Sequence, residues 1–178
     1  QAVLPALSAD LGVSPASAAL TVSVTTGMLA LSIIPASALS ERFGRTRVML
    51  VSAIVTTIIG LLLPASPTFA VLLIGRAAEG AALAGIPAVA MAFLAEEVHP
   101  GSLGSAMGRY IAGTTVGGLA GRLVASSVLD VSNCRIALLT SGAMTLVCTV
   151  LFAALLPKSP FFVPKKVRFG STLRILGV

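Results

Sequence analysis

The chain has 178 residues, of which 56% are apolar and only 10% charged, and its mean hydropathy is +1.03. Soluble domains carry about 25% charged residues, so this chain lacks the charge to cover a water-facing surface, and its expected solvent is the lipid bilayer. The net charge of +6 does not point to nucleic acid, because the basic residues fall between apolar runs rather than along one helix face, which is the pattern of membrane topology.

A bilayer core about 30 Å thick needs about 20 helical residues, and five segments meet or approach that length. No basic stretch precedes an apolar one at the start, so no signal peptide is expected there. The first span opens at Ser14-Pro15, a serine cap followed by proline at the first helical position, and runs to about Leu39. The stretch LSERFGRTRVML then interrupts the apolar sequence with Glu41, Arg42, Arg45 and Arg47 around Gly44. The second span runs from Val48 to about Leu63 and stops at Pro64. The third opens with the same Ser-Pro signal at Ser66-Pro67 and continues to about Leu94. His99-Pro100-Gly101 breaks the chain before a fourth span, from Leu103 to about Val124. The fifth runs from Ile136 to Leu156 and ends at Pro157. The expected fold is therefore all-α, a polytopic bundle of five transmembrane helices over residues 15–156, with antiparallel neighbours joined by short loops.

Lys and Arg set the orientation. Arg42, Arg45 and Arg47 follow the first span, and Lys158, Lys165, Lys166, Arg168 and Arg174 follow the fifth. Alternation places both sets on one side, expected to be the cytoplasm, with residues 157–178 a basic tail against anionic headgroups. The charge-free loop 64–68 belongs outside. Asp130 and Arg135 lie on that side too and cancel, while the inner His99 loop holds Glu96 and Glu97.

Two charges stand inside the third span. Arg76 is about 14 Å along the helix counted from Pro67, and an arginine at the bilayer centre costs at least about 2.5–3.5 kcal/mol. Spacing i, i+3 places it on one face with Glu79. The pair is either a structural ion pair or a substrate and proton site; a carboxyl beside an arginine in low dielectric can exchange a proton as its surroundings change. In the fourth span Gly113, Gly117 and Gly121 recur every four residues, with Gly118 beside them, a spacing that lets helix backbones meet closely; Thr114 and Thr115 supply hydroxyls there. Arg109 and Arg122 lie near enough to the ends to snorkel. Cys134 and Cys148 would lie roughly 21 Å apart on one helix, beyond disulfide reach. With a single histidine, no zinc spacing exists, and no phosphate-binding loop or metalloprotease motif occurs. No metal, cofactor or enzymatic activity is expected.

Leu39 to Arg47 resembles the loop between the second and third helices of the major facilitator superfamily, whose signature is G-x-L-a-D-R-x-G-R-[RK]. Leu39, Arg42, Gly44 and Arg45 match; Glu41 stands for the usual aspartate, Ser37 for the leading glycine, and Thr46 for the second basic residue, with Arg47 one place on. Arg76 to Gly80 looks like the family's fourth-helix motif R-x-x-x-G. Gly113 to Gly118 resembles its fifth-helix motif G-P-x-x-G-G, with Thr114 where antiporters carry proline. The five spans then correspond to helices 2–6, and residues 1–14 to an outer segment after a first helix that the chain lacks. The tail would begin the central loop. The overall likeness is to bacterial sugar- and drug-efflux-type permeases of the inner membrane.

This resemblance implies two six-helix halves that rock about a central path. It also implies a small-molecule substrate, proton coupling through Arg76, and a gating latch at Glu41, Arg42, Gly44, Arg45 and Arg47. The leading expectation is the N-terminal half of a proton-coupled efflux carrier, partnered by a second half. The alternative is a truncated, non-transporting module that only packs or oligomerises in the bilayer.

Overall fold

The computed structural model describes residues 14–156; the expected outer segment, apart from Ser14, and the basic tail lie outside the described residues. Among the described residues six helices follow one another: α1 (Pro15–Phe43), α2 (Arg45–Leu62), α3 (Phe69–Leu83), α4 (Gly85–Glu97), α5 (Leu103–Val131) and α6 (Cys134–Leu155). Short 3-10 turns occupy Leu63–Ala65 and Pro100–Ser102. No strand occurs among the described residues.

The helix starts follow their caps. Ser14 Oγ accepts the N–H of Ser17 at 3.1 Å, with Pro15 at the first position. The third span begins later than its Ser-Pro signal suggests: Thr68 Oγ1, not Ser66, accepts the Val71 N–H at 3.4 Å, so the helix opens at Phe69. The charged stretch differs more. It is not a loop, because Glu41 and Arg42 complete α1 while Arg45 and Arg47 begin α2. Only Gly44 is non-helical, with φ 99° and ψ 140°. Its N–H bonds the Ser40 carbonyl at 3.0 Å and its carbonyl accepts the Val48 N–H at 3.1 Å. One residue thus ends one helix and starts the next, a backbone position that favours glycine.

The third span is also not one unbroken helix. Pro87 has no N–H to offer the Leu83 carbonyl, and the helix breaks at Ala84 into α3 and α4. The two halves together, Phe69–Glu97, remain long and apolar enough to cross a membrane, as do α1, α2 with its following turn, and Arg135–Leu155 of α6. Helix α5 has 29 residues, about 43 Å, ample for a crossing; it is more polar, carrying Arg109, Arg122 and Asp130.

In the bundle α1 packs chiefly on α3, α2 on α6, α4 and α3, and α5 on α6. Two apolar clusters hold its ends. At the Ser66 end, Leu63 and Leu72 meet Ile59, Phe69, Leu129 and Leu138. At the Gly44 end, Val48, Met49, Val89 and Ala90 meet Phe93, Tyr110 and Phe152. Most other large apolar side chains face outward, Leu31, Ile74, Leu123 and Leu155 among them. Apolar exposure this continuous marks a surface that meets something other than water, and here it is a bilayer. The fold is the expected all-α, polytopic membrane bundle.

Candidate functional site

The Gly44 end carries a connected polar group. Arg45, in the first turn of α2, grips Glu96 near the end of α4 with two nearly parallel bonds. Its Nη2 donates to Oε1 at 2.6 Å and its Nε to Oε2 at 2.9 Å. The remaining Nη1 donates to Ser40 Oγ at 3.0 Å, and that hydroxyl donates to the Ser37 carbonyl at 2.7 Å. Ser40 is fully buried. One guanidinium therefore ties α2 to α4 and to the last turns of α1, using the planar fork that only arginine supplies. Glu96 is 53% exposed, so the pair contributes at most about 1 kcal/mol after solvent screening.

Of the other residues expected there, Glu41 acts on Arg45 through space. The Arg42 guanidinium lies 5.3 Å from the centroid of the Phe43 ring, a cation–π distance. Arg47 is exposed. The sequence reading missed Glu96, leaving it in a loop. A signal existed: Glu96 and Glu97 put two carboxylates at a helix C-terminus, where the macrodipole disfavours negative charge and a cation is called for.

Within the third span, Arg76 Nη1 donates to Glu79 Oε2 at 2.8 Å, with side-chain exposures of 28% and 16%. The i, i+3 pair forms as expected. Because α3 starts at Phe69, Arg76 lies about 10 Å from the helix start, a little shallower than counted from Pro67. Glu79 is directed toward α2, over Gly60. Gly80, the last residue of the R-x-x-x-G pattern, is buried on the neighbouring face of α3. A Cβ there would lie 2.9 Å from the carbonyl carbon of Thr25 and 3.0 Å from its Cα, and would collide with its oxygen. The glycine is what lets α1 and α3 cross so closely.

The glycines of α5 behave differently. Nothing lies within 4 Å of where a Cβ would project from Gly113, Gly117, Gly118 or Gly121. Thr114 and Thr115 turn their hydroxyls back to the Ile111 carbonyl, at 2.8 and 3.0 Å. No described helix covers this face. A cross-helix hydroxyl pair does occur elsewhere, between Thr57 of α2 and Thr149 of α6 at 2.7 Å, in runs that gave no sequence signal beyond threonine among aliphatics.

The structure thus separates three features: a guanidinium clamp at one end, an ion pair within the apolar span, and an uncovered small-residue face. The sequence matches the family model of the Major Facilitator Superfamily over residues 1–176. The chain belongs to the major facilitator superfamily. It is 40% identical to an uncharacterised transporter of this type from Bacillus subtilis, YybF, over 96% of its own length and 42% of that protein. It is 37% identical to the inner membrane transport protein YnfM of Escherichia coli, over 94% of itself and 40% of that protein. The antiporter QDR3 of Candida albicans is 28% identical over 87% of the chain, which covers 22% of it. The chain spans about two fifths of the length of the first two relatives. Superfamily membership accounts for a multi-pass bundle with its motif residues at helix ends and crossings.

Proposed function

We propose that this chain supplies helices 2–6 of the N-terminal half of a secondary active transporter, exporting a small molecule in exchange for protons. The observation that carries the reading is the Arg76–Glu79 pair, held half-buried on one face of an apolar span. Ionisable groups inside a membrane span favour function over packing, and this carboxylate can take up a proton when it parts from the guanidinium. The bacterial relatives support an inner-membrane location, and the antiporter among the matches supports exchange. In this reading the Gly44 end, with residues 157–178 following it, is cytoplasmic, and residues 1–14 lie outside after a first helix. The open glycine face of α5 packs against another part of the carrier, either that first helix or the second six-helix half.

Arg45–Glu96 is the gating latch of the proposal. It joins two helices of one half at their cytoplasmic ends, and its modest strength suits a contact that is broken and remade in every cycle. The test of coupling is transport into vesicles containing the full-length protein, using a panel of radiolabelled sugars and lipophilic cationic dyes under an imposed pH gradient. At least one compound should move only with the gradient, and Glu79→Gln should abolish that dependence. Gradient-driven transport unchanged by Glu79→Gln would remove the carboxylate from coupling.

A further inference from the structure

The surroundings of Glu79 on the side away from Arg76 are set by another helix. Only Oε2 bonds the arginine. Oε1 lies over Gly60 of α2, 3.5 Å from where that residue's Cβ would be. The placement is part of a continuous face. Leu72 and Gly75 of α3 pack on Leu63, in the turn that follows α2, and Glu79, one helical turn beyond Gly75, meets Gly60, three residues before Leu63. Gly60 also meets α6: its carbonyl oxygen is 3.5 Å from the position a Cβ on Gly142 would take. The helix backbone is thus held in place from behind, while its front opposes the carboxylate with hydrogen atoms alone. Gly60 is only half-buried and Glu79 remains 16% exposed, so the gap above Oε1 is not closed.

We propose that Gly60 is a positioning residue for the Glu79 carboxylate, leaving the oxygen not held by Arg76 open to take up and release a proton. The inference rests on the coupling role assigned to the Arg76–Glu79 pair. Among the described residues, Arg76 is the charged group that the Glu79 carboxylate bonds. On α2 the charges are Arg45 and Arg47, at least 13 residues from Gly60, about 20 Å along the helix. On α1 they are Glu41 and Arg42, and on α4 Glu96 and Glu97, all at the Gly44 end. Arg135 of α6 stands seven residues from Gly142, about 10 Å along the helix. Helix α5, which packs chiefly on α6, carries Arg109, Arg122 and Asp130.

The spacing allows a test by two substitutions of opposite effect. A methyl at 3.5 Å is an ordinary contact, so Gly60→Ala fits without moving either helix; it replaces open surroundings with hydrocarbon and disfavours the charged carboxylate. In Gly60→Ser the same carbon carries a hydroxyl within reach of Oε1, and a donated hydrogen bond favours the charged form. The full-length protein, reconstituted in vesicles of phosphatidylethanolamine and phosphatidylglycerol, is titrated by infrared difference spectroscopy. The carboxyl band of Glu79 is identified by its loss in Glu79→Gln. In Gly60→Ala and Gly60→Ser its midpoint should move to opposite sides of the wild-type midpoint. The pH profile of gradient-driven transport should move with it. Midpoints equal to wild type, a shift in the same direction for both, or no titrating Glu79 band would overturn the role of Gly60. A Glu79→Gln variant that still couples transport to the gradient would instead overturn the coupling reading, whatever the band does.

Discussion

Gly80→Ala should be among the most damaging single-methyl additions to this bundle. The added carbon would lie 2.9 Å from the Thr25 carbonyl carbon and 3.0 Å from its Cα, and would overlap its oxygen. Carbon atoms settle at about 3.5–4.0 Å, so α1 and α3 must separate locally by on the order of 0.5–1 Å. The obstacle is backbone, which has no rotamer to escape into, and α1 packs on α3 more extensively than on any other helix. Overpacking of this kind costs about 1–3 kcal/mol, more than the roughly 0.5–1 kcal/mol that Ala gains over Gly within a helix. The measurement is the thermal midpoint of the purified full-length protein in detergent, followed by gel filtration of the fraction that stays monodisperse. Gly104→Ala, at a position with nothing within 4 Å, is the matched control and should be neutral or slightly stabilising. A Gly80→Ala midpoint equal to that of the control would refute the close crossing.

Arg45→Lys keeps the charge but cannot hold both Glu96 oxygens and Ser40 together; turnover should fall severalfold while the amount inserted in the membrane stays within error, as measured by transport and immunoblot on the same vesicles. Equal loss of both would reduce the clamp to a topological anchor. Gly117→Val should leave the helices described here undisturbed, because its face is open. In the full-length carrier it should cut transport strongly if a further helix packs there, and wild-type transport would place that face against lipid.

The membrane fold was legible because it follows from hydropathy and length, which are local properties of the sequence. The Ser14 cap and the Arg76–Glu79 pair were legible for the same reason, each being a short-range pattern. What was not legible depended on partners distant in sequence. Arg45 was visible as a motif position by resemblance, yet its acceptor lies 51 residues away. Gly80 could be noted as the end of a motif, but only the crossing with Thr25 explains why a side chain is excluded. The break at Ala84 could have been anticipated, since Pro87 stands inside the span and proline removes the bond to the fourth residue before it. The charged stretch around Gly44 was misjudged in form: composition suggested a loop, and a positive φ at one glycine allowed two helices to abut instead.

That single-residue junction sets the mechanical character of this end of the bundle. One residue spans at most about 3.3–3.6 Å, less than the 5.4 Å rise of a helical turn. The last turn of α1 and the first turn of α2 therefore cannot slide past each other by a turn, and no slack exists to absorb such a step. What Gly44 does allow is rotation about its own two dihedrals. Any change of angle between α1 and α2 must come from those two dihedrals, so a tilt of α1 would reach Arg45, one residue on, and bear on whether its fork still meets Glu96.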